Sequence, residues 1–276
     1  MMIGDILALT DGEEPVSSSG DVALEIARTF SAHLTIVGTP RDPGQIFYLA
    51  QAPAKVLVEA VRHFNHNADN AAMVIAERAG ANSIKCQRRT IEALPSELPA
   101  IIGRIARRFD LCVLPLPSVE SNHADQKLFE AVLFHSGRPV ICAPRDCVPR
   151  LTFDRISIAW DGGRQAARAV ADSLPFLRRA HWVEIVSVSG SRETAEDEFP
   201  AWTIANHLAC HGVTCEIKQL AGKGTIASQI FARVAETQSD LIVMGGYRHS
   251  RLREALIGGT TRDLLESARI PILMSR

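Results

Sequence analysis

Short apolar segments alternate along the chain with longer segments of helical periodicity. In the second half the apolar segments are ISIAWD, VEIVSV, CEIKQL, DLIVMG and PILMS, and helical patterns separate them: AARAVADSLPFLRRA, FPAWTIANHLACHG, TIASQIFARVAETQ and TTRDLLESAR. Strands that are apolar on both faces and alternate with helices predict an α/β fold with a parallel sheet covered on both sides. The first half follows the same pattern, and its longest helix is predicted within VLVEAVRHFNHNADNAAMVIAERAG.

Four segments of the first half recur in the same order in the second half. They are 6–12 with 156–162, 34–39 with 183–188, 109–113 with 239–243, and 138–142 with 270–274. An ordered set of echoes is typical of a duplicated unit. The sequence predicts two tandem doubly wound, Rossmann-like parallel-sheet domains joined within CAPRDCVPRLTF. We expect them to dock through their last strands, near Val140 and Ile272, because docking would cover a sheet edge.

Length, composition and charge narrow the classes of function. The chain has 276 residues, 46% of them hydrophobic, and a formal net charge of −1. A near-neutral charge argues against a nucleic-acid surface. No apolar run approaches the roughly 20 residues of a membrane helix. The N-terminus lacks the features of a signal peptide, so we expect no membrane association and a cytoplasmic location.

The cysteines lie mostly in apolar runs, as reduced core thiols do, so no disulfide framework is expected. One segment, HLACHGVTC, groups His207, Cys210, His211 and Cys215. A helix would bring the first three onto one face, but their spacing matches no common zinc pattern. A helix that ends at Gly212 and is followed by a strand is the favoured interpretation, and metal binding stays an open alternative.

The segment VMGGYRHSRLREALIGGTTRDLL, residues 243–265, carries two pairs of glycines around an arginine-rich stretch. In a doubly wound sheet, Asp161 after the first strand and Gly245 after DLIVM belong at the same edge, where ligands bind. Gly258 and Gly259 open the last helix, whose free amides suit a phosphate. The alternative is structural, because Thr260 and Asp263 have the spacing of a capping box.

These segments resemble the universal stress protein family over almost the whole chain, as two tandem copies. The resemblance implies a degenerate domain at 1–147 and a domain with a partial nucleotide-binding motif at 151–276. Nucleotide-binding members carry G-x2-G-x9-G-[ST]. Gly245 and Gly258 match its first and third glycines, whereas Arg248 replaces the second glycine and Gly259 replaces the hydroxyl residue.

The resemblance also implies a set of ligand contacts. Asp161 would meet the ribose or the adenine end, Ala159 and Val188 would offer backbone groups to the base, and Met244 would line the site. The full implied nucleotide-binding set is Ala159, Asp161, Val188, Met244, Gly245, Arg248, Gly258, Gly259, Thr260 and Thr261. Arg248 has two interpretations: it binds phosphate as a charged fork, or it fills the phosphate position and excludes ATP.

The first copy departs further from the motif. Pro115 and Pro117 stand where glycine is expected, and proline removes amide donors, so phosphate binding is expected to be lost there. Asp11 survives as a match, but an aspartate after a strand is commonly a turn residue.

Three functional hypotheses follow. The first is a stress-response protein that binds ATP or AMP in its second domain without turnover, as a monomer or homodimer. The second is a nucleotide-free interaction protein of the same fold. The third, an ATP-dependent ligase, would need a pyrophosphate loop after the first strand, where the sequence instead has Trp160-Asp161-Gly162-Gly163. No catalytic residues or metal ligands are predicted, although Asp161 and His249 could at most support weak ATP hydrolysis.

Overall fold

The structure is a computed structural model that describes residues 2–11, 18–40, 53–91, 93, 96–117, 123–144, 151–188, 201–246 and 260–276. The chain divides into two compact units, Met2–Pro149 and Arg150–Arg276. Each unit contains five strands in parallel pairs and four helices among the described residues. The predicted fold class, two α/β units with Rossmann-like sheets, is confirmed.

In the first unit the strands lie in the order β3-β2-β1-β4-β5. They are β1 (Asp5–Asp11), β2 (His33–Thr39), β3 (Cys86–Arg88), β4 (Leu111–Pro115) and β5 (Val140–Ala143). The helices are α1 (Ser18–Phe30), α2 (Ala54–Ala81), α3 (Leu98–Ala106) and α4 (His123–His135). Helix α2, with 28 residues, is the longest of the described helices, as the sequence predicts for this half.

The second unit repeats this order with β10-β9-β6-β7-β8. Its strands are β6 (Arg155–Ala159), β7 (Trp182–Val188), β8 (Glu216–Leu220), β9 (Leu241–Gly245) and β10 (Ile272–Ser275). Its helices are α5 (Arg164–Leu177), α6 (Ala201–Cys210), α7 (Ile226–Thr237) and α8 (Thr260–Ser267). Every strand and helix predicted from the pattern of this half is present, with ends that differ by a few residues.

The central strands form the core of each unit. Ile6, Leu7 and Leu9 of β1 are fully buried, as are Ile156 and Ile158 of β6. Helix α7 begins where the Thr225 hydroxyl accepts a hydrogen bond from the Ser228 amide at 3.1 Å, an N-cap that fixes the start of the helix.

One sequence echo has a structural explanation that the sequence alone does not show. Asp110 precedes β4 and accepts the amide hydrogens of Gly4 and Asp5 at 2.9 and 3.1 Å. Asp240 precedes β9 and accepts those of Asp154 and Arg155 at 2.9 and 3.2 Å. In each unit, this carboxylate therefore ties the start of the fourth strand to the start of the first.

Strand β8 departs from the prediction that the strands are apolar on both faces. Four of its five residues, 216–219, are exposed, because β8 lies at the edge of the sheet and not in its centre. None of the described helices combines the length and apolar content needed to cross a bilayer.

Candidate functional site

The candidate site lies at the carboxyl ends of β6 and β9. Ala159, the last residue of β6, is in register with Val186 of β7 on one side and with Met244 of β9 on the other. Since β6 is the first strand of its unit and β9 the fourth, the strand order reverses between them. Crevices at such a reversal are the usual ligand sites of doubly wound sheets.

The turn after β6 places Asp161 at this edge. The Trp160 amide extends the pairing with β7 by donating to the Val186 carbonyl at 2.9 Å. Asp161 follows with an exposed side chain, and its Oδ1 accepts a hydrogen bond from the Gly163 amide at 2.9 Å. Gly162 has a φ of +70°, a conformation that glycine adopts without strain. The turn therefore presents a carboxylate whose orientation is fixed by the backbone.

Helix α5 begins directly after this turn. Gly163 is its N-cap residue and makes no side-chain cap, and no acidic residue lies in the first turn of the helix. Amides at an uncapped helix start, together with the helix dipole, favour an anionic group. At the start of α5 the Asp161 carboxylate already takes this place, because it accepts the Gly163 amide hydrogen.

Val188 and Met244 are less accessible than Asp161. Met244 is 5% exposed and Val188, the last residue of β7, is 6% exposed. Their side chains form part of the packed end of the sheet, so only a small part of their surface faces outward.

Gly245 has a structural reason to be glycine that does not involve a ligand. A Cβ at this position would lie 2.6 Å from the Ala166 amide nitrogen and 2.9 Å from the Gln165 Cβ. The start of α5 therefore packs on the backbone at the carboxyl end of β9. Packing is therefore sufficient to explain why this position of the phosphate motif is glycine.

The remaining motif residues are only partly described. Arg248, Gly258, Gly259 and His249 lie outside the described residues. Thr260 and Thr261 begin α8, and the structure describes their backbone but not their side chains. The capping box from Thr260 to Asp263 remains a prediction.

The first unit has a proline at the position of Gly245. Pro115 pairs with Ala143 at the end of β4 and β5, as Gly245 pairs with Ser275 at the end of β9 and β10. The next amide donates to the neighbouring strand in both units, from Leu116 at 2.8 Å and from Gly246 at 2.9 Å. The two positions are structurally equivalent, so the first unit has a proline where the second unit has the first glycine of its motif.

Sequence reasoning missed two polar side chains beside the turn. The indole nitrogen of Trp160 is buried and has no hydrogen-bond partner in the structure, and Gln165, next to Gly245, is 7% exposed. In the first unit the hydroxyl of Thr10, which also precedes the aspartate, is likewise buried without a partner. The only signal in the sequence was a side chain with a hydrogen-bonding group directly before each aspartate: Thr10 before Asp11, and Trp160 before Asp161.

The histidine and cysteine segment forms a helix end, as the favoured interpretation expects. The rings of His207 and His211 stack edge to face with centroids 4.7 Å apart, while Cys210 is exposed. A guanidinium nitrogen of Arg178 lies 3.2 Å from Nδ1 of His211. Within the described part of the chain, no group of three or more His, Cys, Asp or Glu side chains could hold a metal ion.

Comparison with known proteins agrees with this architecture. Residues 152–276 match the universal stress protein family model. Universal stress protein Slr1230 of Synechocystis sp. is 23% identical over 209 residues, which are 72% of this chain and 68% of that protein.

Two solved structures share the fold over nearly the whole chain. A universal stress protein from Archaeoglobus fulgidus has a TM-score of 0.67 and 16% identity, with 98% of each chain covered. A protein of unknown function from Pseudomonas aeruginosa has a TM-score of 0.59 and 16% identity, covering 99% of this chain and 92% of that one. Residues 152–276 therefore form a domain that matches the universal stress protein family.

Proposed function

We propose that the second unit binds an adenine nucleotide, ATP or AMP, at the carboxyl ends of β6 and β9, and that the protein acts in the stress response by binding without turnover. One observation carries the proposal: the register of Ala159 with Met244 puts the exposed carboxylate of Asp161 at the reversal of the strand order. A carboxylate there can accept hydrogen bonds from ribose hydroxyls.

The proposed contacts follow the order of elements around the edge. The backbone at Ala159 and Val188 contacts the base, Asp161 binds the ribose, and Met244 lines the site. The phosphates then extend toward the start of α8. There they meet the segment that contains Gly245, Arg248, Gly258, Gly259, Thr260 and Thr261, whose backbone amides and arginine supply the positive partners.

The first unit is proposed to bind no nucleotide. Pro115 occupies the position of Gly245 and has no amide hydrogen to donate. Calorimetric titration with ATP should therefore give at most one site per chain. Two equivalent sites would contradict this part of the proposal.

The first experiment is to denature the purified full-length protein and measure the mass and amount of nucleotide released. The second is calorimetry of Arg248→Ala with ATP and with AMP. If Arg248 contacts the outer phosphates, ATP binding weakens by about 1.5–3 kcal/mol, as for a charge-assisted hydrogen bond, and AMP binding changes much less. Arg28→Ala is the matched control, because Arg28 is an exposed arginine of the first unit that pairs with Glu25.

A second candidate function is a nucleotide-free interaction protein of the same fold. The contact between Gly245 and the start of α5 favours it, because this contact accounts for the glycine without a phosphate. Failure of both the wild type and Arg248→Ala to bind ATP or AMP would support this function. Tighter ATP binding by the variant would show that Arg248 blocks the phosphate position.

A further inference from the structure

Strand β8 lies at the end of the strand order and is exposed along most of its length. Residues 216–219 are exposed, and Ile217 keeps 46% of its surface accessible. Helix α6, which packs beside β7 and β8, carries Trp202 in its first turn at 58% exposure. A parallel strand at the end of a sheet has backbone N–H and C=O groups on its outer side that can pair with another strand.

The register with β7 fixes which face each β8 side chain occupies. Glu216 is in register with Glu184, and Lys218 is in register with Val186. Residues two apart in a strand share a face, so Glu216 and Lys218 lie on one face and Ile217 on the other. Glu216 is also held in place, because its Oε1 accepts a hydrogen bond from the Trp182 indole nitrogen at 3.1 Å.

We propose that a second copy of this chain docks on the outer edge of β8, antiparallel, with the two-fold axis at Ile217. In this register each Glu216 lies opposite Lys218 of the other copy, and Ile217 lies opposite itself. The strand is therefore complementary to its own antiparallel copy, and this self-complementarity identifies the occupant as the same protein.

Alternative registers are disfavoured by charge. An axis at Lys218 would place two lysines opposite each other, and an axis at Glu216 would oppose two glutamates. Like charges directly opposite destabilise a strand pair. An exposed ion pair contributes little affinity by itself. The charges therefore select the register, whereas the backbone hydrogen bonds and the burial of Ile217 supply the attraction.

Sedimentation velocity of the full-length chain over a range of concentrations tests the assembly. The wild type should show a concentration-dependent dimer. Lys218→Glu and Glu216→Lys each place like charges opposite one another and should raise the dimer dissociation constant by roughly tenfold or more. The double variant with both changes restores the pairing and should recover the dimer. Lys223→Glu, an exposed lysine outside β8, is the control and should leave it unchanged.

A cross-linking experiment tests the position of the axis. Across an antiparallel pair, Cα atoms of opposed residues lie about 4.5–5.5 Å apart, within the range that a disulfide spans. Oxidised Ile217→Cys should therefore form a covalent dimer, whereas Lys223→Cys should not. The proposal is overturned by a wild type that stays monomeric at all concentrations. In that case Lys218 would serve only to prevent other strands from pairing with this edge. It is also overturned if neither charge variant changes the dimer dissociation constant, or if the Ile217→Cys dimer does not form a disulfide.

Discussion

A buried ion pair between β7 and α7 gives the sharpest test of what stabilises the second unit. Glu184 is 1% exposed and lies in β7 among the buried apolar residues Val183, Ile185 and Val186. Arg233 of α7 donates to the Glu184 carboxylate oxygens from Nε and Nη2 at 2.6–3.1 Å, a bidentate contact. Hydrogen bonding to Glu184 raises the pKa of Arg233 above its ordinary value, so the arginine stays charged.

Replacement of Arg233 by methionine leaves the Glu184 carboxylate buried without its partner. Removal of one member of a buried pair typically costs about 3–5 kcal/mol, since the remaining charge is desolvated and uncompensated. That is a large fraction of the roughly 5–15 kcal/mol by which native proteins are stable. With a urea slope of about 2 kcal/mol/M, the midpoint of unfolding should fall by roughly 1.5–2.5 M.

The assay can observe the second unit by itself. All three tryptophans, Trp160, Trp182 and Trp202, lie in this unit. Tryptophan fluorescence during urea unfolding of the full-length protein therefore reports the unit that contains the ion pair. The first unit contains no tryptophan.

Two further variants make the reasoning refutable. Glu236→Gln removes the other carboxylate near Arg233, at 3.0 Å but 66% exposed, and should change stability by less than about 1 kcal/mol. The double variant Glu184→Met with Arg233→Met removes both charges and should recover most of the loss. A cost below about 1 kcal/mol for Arg233→Met, with no recovery in the double variant, would refute the argument.

Two more predictions concern packing and alkaline pH. Gly245→Ala forces a Cβ against the start of α5 and should cost about 1–3 kcal/mol in urea unfolding, whereas Gly80→Ala, with no neighbour within 4 Å, should cost nothing measurable. Equal effects of the two would contradict the packing role. Burial raises the pKa of Cys112 from 9.0 to about 12. Below pH 9 both the folded and the unfolded chain hold this proton; between 9 and about 12 only the folded chain does. Over that window the ionisation of this thiol in the unfolded chain should lower the free energy of unfolding by about 1.4 kcal/mol per pH unit. Cys112→Ala should show a shallower slope than the exposed Cys210→Ala control, and identical slopes would contradict the burial argument.

The fold could be predicted from the sequence because its signals are local. Apolar runs such as DLIVMG form strands wherever a sheet covers both faces, and the four echoes place the same strands in the same order twice. Strand β8 was recognised from CEIKQL as a strand, but not as an edge. Its position depends on the order of strands in the sheet, which a local pattern does not contain.

The candidate site could be predicted only in part. Asp161 and Gly245 follow strand ends, so the parallel sheet alone puts them at one edge. The packing role of Gly245 depends on Gln165 and Ala166, which are some 80 residues earlier in the chain. Likewise, a glutamate within VEIVSV gives no sign that its partner is Arg233 on a later helix. Such contacts arise from tertiary structure, and no sequence period encodes them.

Because Pro115 and Gly245 are equivalent, a single chain contains two versions of the same strand end. A comparison of two versions of one strand end normally requires two proteins, with different concentrations, purities and histories. Here both members are covalently joined, so they are always equimolar and share every solution condition. The reciprocal substitutions Pro115→Gly and Gly245→Pro would therefore report how far this single backbone position controls the ligand binding and the stability of each unit.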